Sequence, residues 1–596
     1  MPILGRSFCS EKNAIPERGS EMKNGKWCDL NSGVAAAGDG PVKPRWSFET
    51  VDRDGSRMTT GREAVSSCAM TSASKYEAAE VGAEILKKGG NAVDAAVAMG
   101  FALSVTEPFT SGPGGGGMAT IRRADGEAVF VDFREKAPAA VSDRLFRKAD
   151  GTVDRDAFSS GGLACCVPGD VAGLLYMLEH YGTMERQAVL EPAIRIASEG
   201  FVVSPYCAGA IADAYELAVR FPEMQKIYWD KNRGKPYQAG DILVNPDLAR
   251  ALQKIAEEGA AGFYTGEIAE AIVGCVGRYG GMISRKDLER CRPEILRPVV
   301  GNYRGYPILS APPPSSGGST MIEILNILEH FDVGAMEINS AQYVHLFTEA
   351  FKLGYADRAR YLADPDFVKV PLAELTDKVF AAGRAAKIDL NTAQEYGHGD
   401  PFGTEHTDTT HYSVADADGN CVSVTKTING YFGSGVMVDG WGFVMNNSME
   451  DFSPKPRSVN CVEAGKKPLS SMSPTVVLHR DGTPFMVLGS PGGSRIFATV
   501  LQVISRVIDH RMGLHDALCV PRIWNTAASN DLTYEEPLRG YEAYALTGET
   551  IRALTAMGHD KMGTVSSGAV QGVMFLEDGK LYGTADPRQD GKAVGV

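Results

Sequence analysis

The chain has no CxxC pair, no Gly-Lys-Ser/Thr after its longest glycine run, and no apolar stretch long enough to span a bilayer. Each absence removes a class of function. Eleven cysteines, with one adjacent pair at Cys165-Cys166, form no regular framework, so a reducing compartment is expected rather than a disulfide scaffold. The most apolar region, around 92–105, is interrupted by Asp94 and is too short for a membrane helix. The opening Met1-Pro2-Ile3-Leu4-Gly5-Arg6 turns polar at once, so no secretory signal is expected and a cytoplasmic location is. Basic residues are outnumbered, 60 Lys and Arg against 74 Asp and Glu. A net charge of −14 excludes nucleic acid and anionic membranes as expected partners, since both call for clustered cations. His398, His406 and His411 are spaced by eight and five residues, which matches no zinc pattern. No metal and no cofactor is expected.

The rest of the composition is that of a soluble globular protein, with 44% apolar and 22% charged residues over 596 positions. Residues 1–62 lack helical or strand periodicity and read as a flexible arm. Periodicity begins near Tyr76, where an amphipathic helix runs through Lys87-Lys88 and stops at Gly89-Gly90. A second helix is expected over Ala92–Thr106. Gly112-Pro113-Gly114-Gly115-Gly116-Gly117 fails as a phosphate loop and reads as a tight backbone passage with no room for side chains. Strands follow at Met118–Arg122 and Ala128–Phe133. Further helices are expected at Ala172–Tyr181, Pro246–Glu258, Met321–His330 and Ala341–Ala359. The run from Lys387 to Asp408 has the polar composition of an exposed loop.

From Thr409 the pattern becomes β. Thr410, Tyr412 and Val414 alternate with Thr409, His411 and Ser413. Asp416-Ala417-Asp418-Gly419-Asn420 is a hairpin turn, and Cys421–Thr427 returns. Reflection about that turn sets Thr409 opposite Thr427 or its neighbour. A threonine hydroxyl in a strand is ordinarily just β-propensity. One that becomes a chain N-terminus gains a base within its own residue, the α-amine. Downstream, the strand Phe485–Leu488 enters Gly489-Ser490-Pro491-Gly492-Gly493-Ser494-Arg495 and then a helix near Ile496. Such a turn offers backbone N–H groups to an anion, either a phosphate or the oxyanion of acyl transfer; without a nucleotide-loop glycine spacing the oxyanion reading is the better one.

These motifs, with Thr427-Ile428-Asn429, Asn446-Asn447-Ser448-Met449-Glu450-Asp451, Pro468-Leu469-Ser470-Ser471-Met472-Ser473-Pro474 and Asp132-Phe133-Arg134-Glu135, occur in the order seen in γ-glutamyltranspeptidases. The resemblance runs from about residue 64 to the C-terminus. It implies an α+β fold, a four-layer αββα sandwich of the N-terminal-nucleophile hydrolase type. It also implies an arm of residues 1–62, a large subunit of 63–408 and a small subunit of 409–596, made by autocleavage between Asp408 and Thr409. By the same resemblance Thr409 is the nucleophile, Thr427 its hydrogen-bond partner, and Gly492 and Gly493 the oxyanion donors. Arg134, assisted by Ser470 and Ser471, matches the clamp on a substrate α-carboxylate. Asn429 and Asp451 match the holders of the α-amino group. Ser448 stands where many members carry Gln or Glu, Glu450 replaces a common Asp, and the segment from Ser453 to Pro468 is shorter than the lid of many members.

The implied activity is cleavage of γ-glutamyl amides such as glutathione through a γ-glutamyl-threonine ester, passed to water, an amino acid or a peptide. The implied partners are a small-molecule substrate and the two subunits of one precursor, with a higher oligomer open. The hairpin Thr425–Phe432 and Ile508-Asp509-His510-Arg511-Met512 are also similar to the cephalosporin acylase subfamily, which makes a glutaryl amidohydrolase on the same fold the rival. An unprocessed binding protein is the third reading, disfavoured by the complete nucleophile set.

Overall fold

The alternation after Thr409 forms the hairpin that the sequence predicts. Strand Thr410–Asp416 pairs antiparallel with Cys421–Thr427, with Thr410 across from Lys426 and Ala415 across from Cys421. The computed structural model describes residues 62–396, 409–525 and 529–596. The expected arm up to residue 61, the cleavage-site residue Asp408, and His398 and His406 lie outside the described residues. Arg62 is described, and its guanidinium donates to the carbonyls of Asp586 and Gln589 at 3.2 and 2.7 Å.

The hairpin occupies the middle of a seven-stranded sheet. Thr410–Asp416 is flanked on its other side by Ala69–Ala73. Cys421–Thr427 is flanked by Gly116–Arg122, where Thr427 faces Gly116. Ala128–Phe133 follows, and Lys592–Gly595 and Glu294–Leu296 form the edges. A second seven-stranded sheet contains Thr475–Leu478 and Pro484–Gly489 at its centre.

Alternation sorts the two faces of the hairpin. Tyr412, Val414, Val422 and Val424 enter a core with the helix Ala92–Thr106. That helix is mostly apolar and buried at every position, and Asn91 caps it reciprocally with Asp94. The opposite face meets the second sheet. Ala415 and Cys421 share a smaller core with Leu309, Val476 and Val487. Ser413 Oγ donates to the Gln571 carbonyl and Ser423 Oγ to the Leu488 carbonyl, both at 3.1 Å. A third core joins Val477, Met486 and Leu488 of the second sheet to the helices Gly317–Leu328, Ala341–Tyr361 and Ile496–Ile508.

The helices at Ala92–Thr106 and Pro246–Glu258 and the strand Ala128–Phe133 have the expected bounds, and the helix from Tyr76 ends at Lys87 with Lys88 as its cap. The helix expected from Met321 starts instead at Gly317. Its first turn presses against the serine segment, where a Cβ on Gly317 would lie 2.2 Å from Ser473 Oγ. Gly317 and Gly318 are therefore the residues that let a helix start there. The described cysteines are free thiols, and Cys207, Cys275 and Cys421 are buried.

The glycine run is the tight passage the sequence suggests. A Cβ on Gly114 would lie 2.1 Å from the Val444 carbonyl oxygen, and one on Gly115 equally close to that of Thr427. A Cβ on Gly112 would meet nothing within 4 Å. Gly115→Ala is accordingly expected to lower the urea unfolding free energy by about 1–3 kcal/mol or more through overpacking, and Gly112→Ala by less than about 0.5 kcal/mol. Equal midpoints for the two variants would contradict this packing.

Candidate active site

Thr409 stands at the mouth of the hairpin and is buried. Its Oγ1 donates to Thr427 Oγ1 in a long contact of 3.4 Å. Thr427 Oγ1 in turn accepts the backbone N–H of Asn429 at 2.8 Å, a hydroxyl-to-backbone turn that ends the strand. Asn429 has φ of 75°, a left-handed conformation that asparagine tolerates better than most residues. Its Nδ2 donates to the Asn447 carbonyl at 3.3 Å. Asn447 closes the loop on that side: its Oδ1 accepts from Gly430 N at 2.8 Å and its Nδ2 donates to Glu450 Oε2 at 3.0 Å.

The next residue, Ser448, carries the path onward. Its Oγ donates to Glu135 Oε1 at 2.8 Å. Arg134 follows strand Ala128–Phe133, and its guanidinium donates through Nη1 to Glu135 Oε2 at 3.1 Å. Nη2 donates to Asp451 Oδ2, and Nε reaches the Pro468 carbonyl at 3.5 Å. Burial opposes the charge on Arg134, yet Glu135 and Asp451 hold its pKa above the ordinary value. Asn460 Nδ2 fixes the Asp451 carbonyl at 2.7 Å, and its Oδ1 accepts from Leu469 N at 3.0 Å. The segment between Asp451 and Leu469 is thus tied at both ends by one amide.

Ser470 and Ser471 lie on the segment that passes Arg134. The Ser470 carbonyl accepts both the N–H and the Oγ–H of Ser316 at 2.7 Å. Ser471 Oγ accepts from Arg358 Nη2 at 3.0 Å, and Arg358 Nε donates to Ser316 Oγ at 2.8 Å. A second guanidinium therefore stands beside the serines. The glycine turn leaves the second sheet next to the strand that follows Thr409, since a Cβ on Gly489 would sit 2.3 Å from His411 Cε1. Gly492 and Gly493 have φ of 132° and 54°, which only glycine adopts without strain.

The sequence model of the Gamma-glutamyltranspeptidase family matches residues 78–596. The chain belongs to the γ-glutamyltranspeptidase family. It is 41% identical over 525 residues to a glutathione hydrolase proenzyme of Escherichia coli (strain K12), covering 86% of this chain and 89% of that one. It is also 41% identical over 528 residues to an acylase ACY 1 proenzyme of Pseudomonas sp. (strain SE83), covering 87% and 92%. In three dimensions it resembles a cephalosporin acylase from Bacillus halodurans, with a TM-score of 0.80 at 27% identity over 90% of this chain and 97% of the other.

As a member of this family the chain brings Thr409, Thr427, Asn429, Ser448, Arg134 and Asp451 into one connected path, with Glu450 attached through Asn447. Ser470 and Ser471 join it through the segment that begins at Pro468. Glu135 was not singled out by the sequence reading, although it receives both Ser448 and Arg134. A buried carboxylate directly after a buried arginine was the available signal. Arg358 was missed as well, because its helix and the serine segment are distant in sequence. Asn446, next to the path, is spent on backbone: its Nδ2 donates to Gly114 O and Cys166 O at 2.7 and 2.9 Å.

His411 is structural here. Its Nδ1 meets Thr425 Oγ1 at 2.9 Å and its Nε2 meets Ser413 Oγ at 3.1 Å. Burial pushes its pKa down to about 3, against about 6.5 in an unfolded chain. Between those values the unfolded state binds a proton that the folded state does not. Stability should therefore fall as pH drops below about 6.5, by about 1.4 kcal/mol per pH unit from this ring alone. Urea titrations at about pH 7 and about pH 5 should show a shallower loss for His411→Gln than for the parent; the same loss in both would refute the assignment. Arg134→Met leaves the buried Glu135 and the half-buried Asp451 without their cation, and should cost about 3–5 kcal/mol of unfolding free energy. A variant with the parent's urea midpoint would mean that these carboxylates do not depend on Arg134.

Proposed function

We propose that the protein is an autoprocessed γ-glutamyltransferase and glutathione hydrolase. The observation that carries this reading is the unbroken path from the Thr409 hydroxyl to the buried Arg134–Asp451 pair. A γ-glutamyl group presents a carbonyl at one end and a zwitterion at the other. Inserted between Arg134 and Asp451, that zwitterion turns one ion pair into two: its carboxylate takes the planar guanidinium fork and its ammonium takes Asp451. Ser470, Ser471 and Asn429 lie where they can assist. We read the two sheets and their helices as a four-layer αββα sandwich, built from a large subunit of 63–408 and a small one of 409–596.

The chemistry follows from the residue types. Cleavage after Asp408 frees the α-amine of Thr409, whose ordinary pKa is about 7.7–8.0, close to working pH. The amine accepts the hydroxyl proton as Thr409 Oγ1 bonds to the γ-carbonyl carbon. Thr427 Oγ1, which accepts from that hydroxyl at 3.4 Å, orients it. The oxyanion lies against the N–H groups of Gly492 and Gly493, groups that need no reorganisation as charge develops. Collapse breaks the C–N bond, the leaving amine takes the proton, and a γ-glutamyl-Thr409 ester remains. Water or an amine then attacks the ester by the same steps in reverse order.

Thr409→Ala should run as one full-length band on a denaturing gel and release no p-nitroaniline from γ-glutamyl-p-nitroanilide. The parent should give two fragments, the smaller beginning at Thr409 by mass. A processed and active Thr409→Ala protein would refute the mechanism. The acylase relatives give the rival reading its specific support. Only the γ-glutamyl group carries the amine that Asp451 reads, so the parent should prefer γ-glutamyl-p-nitroanilide to glutaryl-p-nitroanilide, and Asp451→Asn should narrow that preference. A parent that favours the glutaryl substrate would establish the rival.

A further inference from the structure

The helix Ala341–Tyr361 carries His345 and Glu349 one turn apart, so both side chains leave the same face. His559, in the chain beyond the helix Gly548–Ala556, meets them from 214 residues away. All three are fully buried. One imidazole nitrogen from each histidine and a carboxylate oxygen of Glu349 lie within 4.8 Å of one another. The path described above uses none of them.

Their hydrogen bonding is unusual for a purely structural cluster. His345 Nε2 lies 2.7 Å from the Asp389 carbonyl, which can only accept, so the His345 proton is on Nε2 and Nδ1 is a bare lone pair. That lone pair points at His559 Nε2 across 2.9 Å. The other nitrogen of His559, Nδ1, is buried with no hydrogen-bond partner among the described residues. If His559 carries its proton on Nε2, Nδ1 is a buried orphan acceptor. If the proton is on Nδ1, toward the Asn530 backbone that acts on the ring as a hydrogen-bond partner, two lone pairs face each other. One tautomer strands a buried acceptor and the other opposes two lone pairs, at a typical cost of about 1–3 kcal/mol. A cation between the rings would relieve the facing lone pairs. The outer N–H of His345 on a backbone carbonyl is also how metal-bound imidazoles are usually oriented.

We propose that His345, Glu349 and His559 form a site for a divalent transition metal of the zinc class. Two imidazole nitrogens and one carboxylate oxygen are a borderline donor set suited to zinc, with a fourth position open to water. Zn–N bonds of about 2.0–2.1 Å at a tetrahedral angle need the two nitrogens about 3.4 Å apart, a widening of about half an ångström from the geometry here. Lys352 is the competing cation. Its Nζ lies 2.5 Å from Glu349 Oε1 and also donates to the Gln394 carbonyl and Asn530 Oδ1. The metal would share Glu349 with it, and Lys352 keeps two other acceptors. Glu349 Oε2 also receives Gln394 N at 3.0 Å, so the cluster pins residues 389–394 as well. On the cleavage reading above, the site would join a residue of the small subunit to the end of the large one.

The test uses the full chain freed of metal by a chelator and titrated with zinc against a chromophoric competitor. The expected result is one tightly bound equivalent, lost in both His345→Asn and His559→Asn, with a visible tetrahedral cobalt spectrum in the parent that both variants lack. Retention of the bound equivalent by either variant, or no bound equivalent in the parent, overturns the proposal. Should the variants fail to fold, the parent's cobalt spectrum decides. Nitrogen and oxygen ligation without a thiolate charge-transfer band supports the site, and a thiolate band or no visible band overturns it. Thr409→Ala should bind the same equivalent, so a failure of the cleavage mechanism would leave this result standing.

Discussion

A buried ion pair fixes the register on which the site depends. Lys426, the residue before Thr427, points away from the second sheet, and its Nζ binds Asp170 Oδ2 and Ser104 Oγ at 2.9 Å and the Gly100 carbonyl at 2.8 Å. Both members of the pair are fully enclosed. Burial pushes Asp170 up to about 6 against the pull of Lys426, and lowers Lys426 against the pull of Asp170. A buried pair of this kind is weak evidence for net stability, but breaking it is costly. A one-residue slip of this strand would turn Lys426 toward the other sheet and strand both charges. The hairpin is thereby locked with Thr410 across from Lys426, and Thr427 is delivered to Thr409.

The rest of the site is built outward from that lock by close backbone approach. Gly115 must be a glycine because the Thr427 carbonyl occupies the space of its Cβ, and Gly116 because Glu135 occupies the space of its own. The glycine run brings the strand carrying the hydroxyls to the strand end carrying Arg134 and Glu135. Two cations, Arg134 and Arg358, then flank the segment Pro468–Ser473 from different helices and strands. The site is built from carboxylates and guanidinia largely held out of water, where an unpaired partner would be expensive. On the proposed function, the Arg134–Asp451 pair is both a structural contact and the feature that suits a zwitterion.

Much of this was legible in the residues. The hairpin, its turn and the pairing of Thr409 with Thr427 follow from a two-residue period and a strong turn signal. The helix Ala92–Thr106 is legible from an apolar run that only Asp94 interrupts before Ser104. The glycine run was legible as a crowded passage, though not what crowds it. Glu135 and Arg358 were not legible as partners, because a carboxylate after an arginine and an arginine on a long helix have many solvated alternatives. The start of the helix at Gly317 was hidden for a related reason: glycine lowers helix propensity, and only contact with Ser473 explains its presence there.

The sequence alone determined the local elements and the order of motifs that mark the family, because periodicity, turn chemistry and short-range pairing are properties of neighbouring residues. The tertiary structure decided which distant groups meet. It set Ser448 on Glu135, Arg134 on Asp451, and Arg358 on Ser471. It also set His559 against a helix more than two hundred residues earlier. Those meetings are fixed by the packing of two sheets and three cores, and no window of sequence contains both partners.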